Sequence, residues 1–245
     1  MTAVCSASAQ TAIASGDTLN TTIGSKTSIF GIFGRSGSVV GAADAAPYLS
    51  FTANAKNVFT FNSVTGSLVA GAGGPVFSPD GGYFNEAYHI AGLNGLSGVN
   101  GNSQLGLVGV FTTDTAPNVG SAPAALAAWD ATNPASLSPD LHQVFYIGDG
   151  RSGLNNASGT VLKFQAPTDA TRLYLGFADG WGFQGAPSYY FDNQGSVNAS
   201  LSLTAVPEPA SYALMALGLV GLGAAASRRR AAAGADGAGS AALAL

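Results

Sequence analysis

The chain has 245 residues, of which 47% are hydrophobic and only 9% charged, against roughly a quarter charged in an average soluble domain. Its net charge is −4, and three of its nine basic residues stand together as Arg228, Arg229 and Arg230. Outside that cluster the chain is acidic and offers no basic face to a phosphate backbone, which excludes a nucleic-acid binder. Glutamate occurs only at Glu86 and Glu208 and lysine only at Lys26, Lys56 and Lys163, so the residues that build the solvent faces of long helices are missing.

Residues 1–19 are expected to form a disordered N-terminus or the remnant of a signal peptide. Ala7-Ser8-Ala9 before Gln10 has the small-x-small form of a signal-peptidase site, and a full signal peptide would then begin upstream of Met1. The single cysteine, Cys5, lies in this stretch, so the body of the chain forms no internal disulfide and no thiolate metal site.

Residues 20–204 alternate short apolar, β-favouring runs with Gly, Asn, Asp, Pro and Ser clusters. That rhythm predicts an all-β fold: a single β-sandwich or jelly-roll domain. Candidate strands are 57–62, 66–69, 104–111, 142–147, 160–165, 172–177 and 196–203. The run 172–177 carries apolar side chains on both faces, as a central strand does. Proline falls between the runs and not within them.

The glycines of 71–74 and 92–101 mark tight loops, and neither stretch has the spacing of a nucleotide-binding loop. The stretch 113–139, with four prolines, reads as a long excursion in which 124–129 could form a helical turn or two behind Pro123. No repeat of solenoid period is present.

Catalytic constellations are hard to find. His89 and His142 are the only histidines, no Gly-x-Ser-x-Gly elbow occurs, and two isolated histidines make neither a hydrolytic triad nor a zinc site. A glycosidase needs two carboxylates across a cleft, and nothing in the scattered aspartates marks such a pair.

The loop 179–195 is different in kind. A hard cation takes six to eight oxygens from carboxylates, amides and carbonyls, and Asp179 with the adjacent Asp192-Asn193 can converge on one from the two ends of the loop. Trp181, Tyr189 and Tyr190 lie in the same loop. Ring faces beside a few oriented polar groups suit a sugar; the same rings could equally pack into the core, and Asp192-Asn193 could simply cap a turn.

From about residue 142 to 203 the sequence resembles the bacterial galactophilic lectins, small jelly-roll domains that bind galactose through calcium. The likeness rests on Ile147-Gly148-Asp149, on Phe177-Ala178-Asp179 and on Asp192-Asn193-Gln194-Gly195-Ser196 entering the last strand. It implies a β-sandwich ectodomain of galactose-binding-like type, Ca²⁺ as cofactor, Asp179, Asp192 and Asn193 as its ligands, and Trp181, Tyr189 and Tyr190 at the sugar. For the family's sugar-contacting histidine, His89 is the candidate. Two departures are plain: the loop is longer than in the lectins, and the first amide of their ligand pair is Asp192 here.

The C-terminal end combines three features. Val206-Pro207-Glu208-Pro209 is a stiff, extended segment, because two prolines bracket a lone carboxylate. Residues 210–227 form an uncharged stretch near the lower length limit for a transmembrane helix, and Arg228, Arg229 and Arg230 follow at once, which places that end in the cytoplasm.

Triplet, span and basic cluster in this order resemble the PEP-CTERM sorting signal of exported bacterial proteins. The resemblance implies exosortase as partner, cleavage near Pro207-Glu208-Pro209, and a single-pass membrane segment before processing. The anchor is expected over 205–230 and a disordered cytoplasmic tail over 231–245; such signals normally stop soon after the basic residues, so the tail is a departure.

The sequence thus predicts a non-enzymatic exported protein at the cell surface or in the extracellular matrix. Its ectodomain would bind extracellular polysaccharide or galactose-like glycans through calcium. The alternative is a structural exopolysaccharide or biofilm matrix protein with no metal or sugar site.

Overall fold

The computed structural model describes residues 10–41, 44–54, 57–83, 87–127 and 135–205, and Met215, Leu217, Leu219 and Val220 beyond them. Two units are distinguished, one ending at Ala205 and one running from Val206 to Leu245.

The first unit is built mostly of strands. From its start come β1 (Gln10–Ala12), β2 (Thr18–Gly24) and β3 (Thr27–Ser28), then a kinked 3-10 segment (Ile29–Ser38), β4 (Asp44–Ala45), β5 (Tyr48–Ser50) and the long β6 (Asn57–Val69). There follow β7 (Val76–Phe77), β8 (Tyr88–Ile90), β9 (Val99–Gly101) and β10 (Leu107–Thr112). The second half holds β11 (Ser136–Leu137), β12 (Val144–Tyr146), β13 (Lys163–Gln165), β14 (Arg172–Phe177), β15 (Gln184–Gly185) and β16 (Gln194–Ala205).

One sheet has the order β1-β5-β14-β10-β12, with β3 and β4 attached beside β14. A second has the order β11-β13-β6-β16-β2, with β7 attached to β6, and a small third sheet joins β15, β8 and β9. The two large sheets share one apolar core. Phe111 of β10 meets Phe59 of β6 at 5.5 Å between ring centroids, and Phe145 of β12 stacks on Phe164 of β13 at 5.0 Å. All four rings are buried, each contributing about 1.5–3 kcal/mol by leaving water.

The expected strands 57–62 and 66–69 are one strand, β6. Its pairing with β16 slips where Ser200 faces Ser63 but Leu201 faces Phe61. The extra residue, Asn62, is a bulge. Phe59 and Phe61 point inward before it, Val64 and Leu68 after it, so the inward residues change from odd to even and the alternation is broken in the sequence. Expected starts at 104 and 142 are trimmed to Leu107 and Val144 because Leu105 and His142 take φ of 55° and 66°, outside the strand region.

Two expectations are corrected, and one strand was not anticipated. Residues 10–19 are part of the folded body: β1 pairs with β5, and Ile13 is only 4% exposed. Residues 124–127 form no helix, Gln143 instead donating a side-chain hydrogen bond to the Ala124 carbonyl at 2.9 Å. The sequence reading also passed over β2, whose Thr- and Asn-rich run pairs along its whole length with β16.

The predicted transmembrane helix over 210–227 lies largely outside the described residues. Met215, Leu217, Leu219 and Val220 are helical and exposed, and among the described residues no helix is long and apolar enough to cross a membrane.

Candidate functional site

The central strand β14 delivers the chain to Asp179, and β16 takes it up again at Gln194. Between them the loop folds into two single 3-10 turns, Trp181–Phe183 and Tyr190–Asp192, closed by a bridge between Gly180 and Pro187. Asp179 follows β14 of the first sheet and Asn193 precedes β16 of the second, and the folded loop brings these two residues, 14 apart, into contact.

Asp179 is 3% exposed. One carboxylate oxygen, Oδ1, accepts the Gly180 N–H at 2.7 Å and the other, Oδ2, accepts the Asn193 side-chain amide at 2.6 Å. Burial pushes its pKa up to about 6; those two hydrogen bonds oppose the shift, and the nearby Asp192 charge adds to it. Asn193 is buried as well, and its Nδ2 also reaches the Ser25 carbonyl at 3.4 Å. Its Oδ1 is buried with no hydrogen-bond partner among the described residues. An orphaned carbonyl oxygen costs about 1–3 kcal/mol, so such an atom calls for an explanation.

Asp179, Asp192 and Asn193 line one cavity of about 160 Å³, together with Gly71, Trp181 and Tyr189. Gly71 comes from the far side of β6, and a Cβ there would stand 3.7 Å from Asp192 Oδ2. Over the cavity the rings of Trp181 and Tyr189 meet at 4.9 Å, and Phe191 continues the row at 5.9 Å from Tyr189. Trp181 is 72% and Phe191 53% exposed. Tyr189 has φ of 68° and is backed by Gly41, where a Cβ would come within 2.8 Å of the Tyr189 backbone nitrogen.

Two expected sugar contacts are relocated. Tyr190 is wholly buried, its hydroxyl donating to the Phe177 carbonyl at 3.3 Å and accepting the Asp179 N–H at 3.0 Å. It is a core strut under the site and not a stacking surface. His89 lies on β8, opposite Gln184 of β15, with Nδ1 2.6 Å from Asn100 Oδ1, and it does not line the cavity. Phe191, Gly71 and Gly41 were missed by the sequence reading. Phe191 sat in plain view between two singled-out residues; the glycines carry no signal of their own and are brought in from distant loops.

Asp179, Asp192 and Asn193 are the oxygen donors that a hard cation prefers, and the orphaned Asn193 oxygen is the atom such an ion would satisfy. The set falls short of six ligands, so loop carbonyls and water would have to complete it. No group of three or more His, Cys, Asp or Glu suited to a metal occurs among the described residues.

The β body thus precedes a C-terminal segment with the layout of an export signal: a proline-bracketed acid, an apolar stretch and a basic cluster. Residues 205–230 match the PEP-CTERM protein-sorting motif, which implies export, exosortase processing and anchoring at the cell envelope. The match covers the signal and not the β domain. Its key residues, Pro207, Glu208, Pro209, Arg228, Arg229 and Arg230, lie outside the described residues. No curated protein and no solved structure matches the chain.

Proposed function

We propose that this exported, exosortase-processed protein is a calcium-dependent carbohydrate-binding protein of the cell surface, with an ectodomain of jelly-roll type. The observation that carries the reading is one juxtaposition. A buried Asp179–Asn193 pair with an unsatisfied oxygen lies in a cavity beside a row of rings, the half-buried Tyr189 between the exposed Trp181 and Phe191. A bound Ca²⁺ would supply positive charge and open coordination positions for sugar hydroxyls. Trp181, Tyr189 and Phe191 would take the apolar face of a sugar ring.

The cavity is smaller than the roughly 300–1,000 Å³ of pockets that engulf a ligand, which favours an ion below and a glycan lying across the rings.

The test is calorimetric melting of the full chain in EDTA and then in millimolar Ca²⁺. At a hundredfold excess over Kd the ion should add about 2.7 kcal/mol, which raises Tm by roughly 5–10 °C in a domain of this size. Asp179→Ala should abolish the rise. Trp181→Ala should keep it and lose glycan retention on an array. An unchanged Tm in calcium would instead support the matrix-protein alternative.

A further inference from the structure

Most outer strands of this fold are too short to recruit another chain. Among the described residues β1, β9 and β12 have three residues each, and β11 and β15 have two. Shortness is one of the devices that keep sheet edges from pairing with other molecules. The exception is β2, seven residues long, at the end of the second sheet, with β16 as its only hydrogen-bonded strand among the described residues.

The other protective devices are missing from β2 too. Its sequence, Thr18-Leu19-Asn20-Thr21-Thr22-Ile23-Gly24, has no charge and no proline. Its seven pairs with β16 run from Thr18 opposite Ser202 to Gly24 opposite Ser196 without a slip. The edge carries no bulge and no charge, and Thr18, Thr21, Thr22 and Ile23 are β-favouring.

The strand is also self-complementary. Two copies related by a two-fold axis at Thr21 would pair antiparallel. Asn20 would then face Thr22 on the exposed side, and Leu19 would face Ile23 on the core side. The alternation of exposed Thr18, Asn20 and Thr22 with the inward Leu19 and buried Ile23 is preserved across the junction.

We propose that β2 is a homodimer interface, pairing antiparallel with β2 of a second copy of this chain about Thr21, so that the two second sheets become one continuous sheet. This stands independently of any ligand at the Asp179 cavity.

Sedimentation equilibrium of the full chain in detergent tests it, with two double variants at exposed positions. Asn20→Lys with Thr22→Lys sets like charges directly opposite each other across the proposed junction, which opposes pairing, and should halve the protein mass. Asn20→Lys with Thr22→Glu sets opposite charges there and should restore the dimer.

A monomeric wild type overturns the proposal. So does a wild-type oligomer that the double lysine variant leaves intact, since its contact then lies elsewhere. Failure of the Lys/Glu variant to re-form the dimer overturns the antiparallel register about Thr21. Failure of calcium to shift Tm bears on none of these outcomes.

Discussion

Asp179 and Asp80 are the two nearly inaccessible carboxylates among the described residues, 3% and 1% exposed. Asp80 accepts the Asp149 N–H at 2.8 Å and the Asn155 N–H at 2.7 Å, and its own carbonyl takes the Tyr146 and Ser103 hydroxyls. It ties the loop after β12 to the loop after β7. Burial pushes both pKa values up to about 6 from 3.8. The folded protein therefore binds protons more tightly than the unfolded chain. The stabilisation from these groups is complete below pH 3.8 and is lost as pH rises through about 6.

In EDTA, the urea midpoint should accordingly rise between about pH 7 and about pH 5, and Asp179→Asn should flatten that rise; a midpoint falling over this range would refute the assignment. Gly148 allows the Asp80 tether. Its φ is 59°, and a Cβ would come 2.2 Å from Asp80 Oδ1. Gly148→Ala should cost about 2–4 kcal/mol from strain and overpacking together, read as a lowered denaturation midpoint.

Among the elements, the β6–β16 pair does most to position the site. One end of β6 supplies Gly71 just beyond Val69, and β16 begins just after Asn193. Two glycines let the strands approach closely there. A Cβ on Gly66 would stand 2.3 Å from the Ser196 carbonyl oxygen, and one on Gly195 2.1 Å from that of Ser67. The neighbouring atoms are backbone and cannot swing away. Gly66→Ala should therefore lower stability by about 2–5 kcal/mol, or roughly 4–20 °C in Tm. Gly182→Ala is the control: φ is +56° but nothing lies within 4 Å, so backbone strain of about 1–2 kcal/mol is the whole expected cost. Equal losses in the two variants would refute the close-approach argument.

Across the ectodomain, β16 also fixes which end carries the site. It starts beside Asn193 and ends at Ala205, where the sorting motif begins. Twelve residues at the usual rise separate the two by about 36 Å. The ring row therefore sits near the Gln194 end of β16, remote from Ala205. Glu208→Ala should block exosortase processing and leave the unprocessed, larger form in the membrane fraction, read as a shift on an immunoblot; normal processing of this variant would remove Glu208 from the recognition elements.

The sequence alone determined the features that depend on local order. The strand-and-turn rhythm gave the β class, Pro207-Glu208-Pro209 with the apolar span and Arg228 to Arg230 gave the sorting signal, and Asp179, Trp181, Tyr189, Asp192 and Asn193 were singled out because one loop contains them all. Tertiary structure decided what depends on contacts between distant segments. Tyr189 is a surface ring and Tyr190 a core strut, although they are adjacent, because a left-handed φ at Tyr189 turns the two side chains apart. Asn62 bulges and joins two apparent strands into one because β16 sets its register from outside. Gly41 and Gly71 belong to the site only because folding carries them there; a glycine has no side chain by which its sequence neighbours could announce the contact.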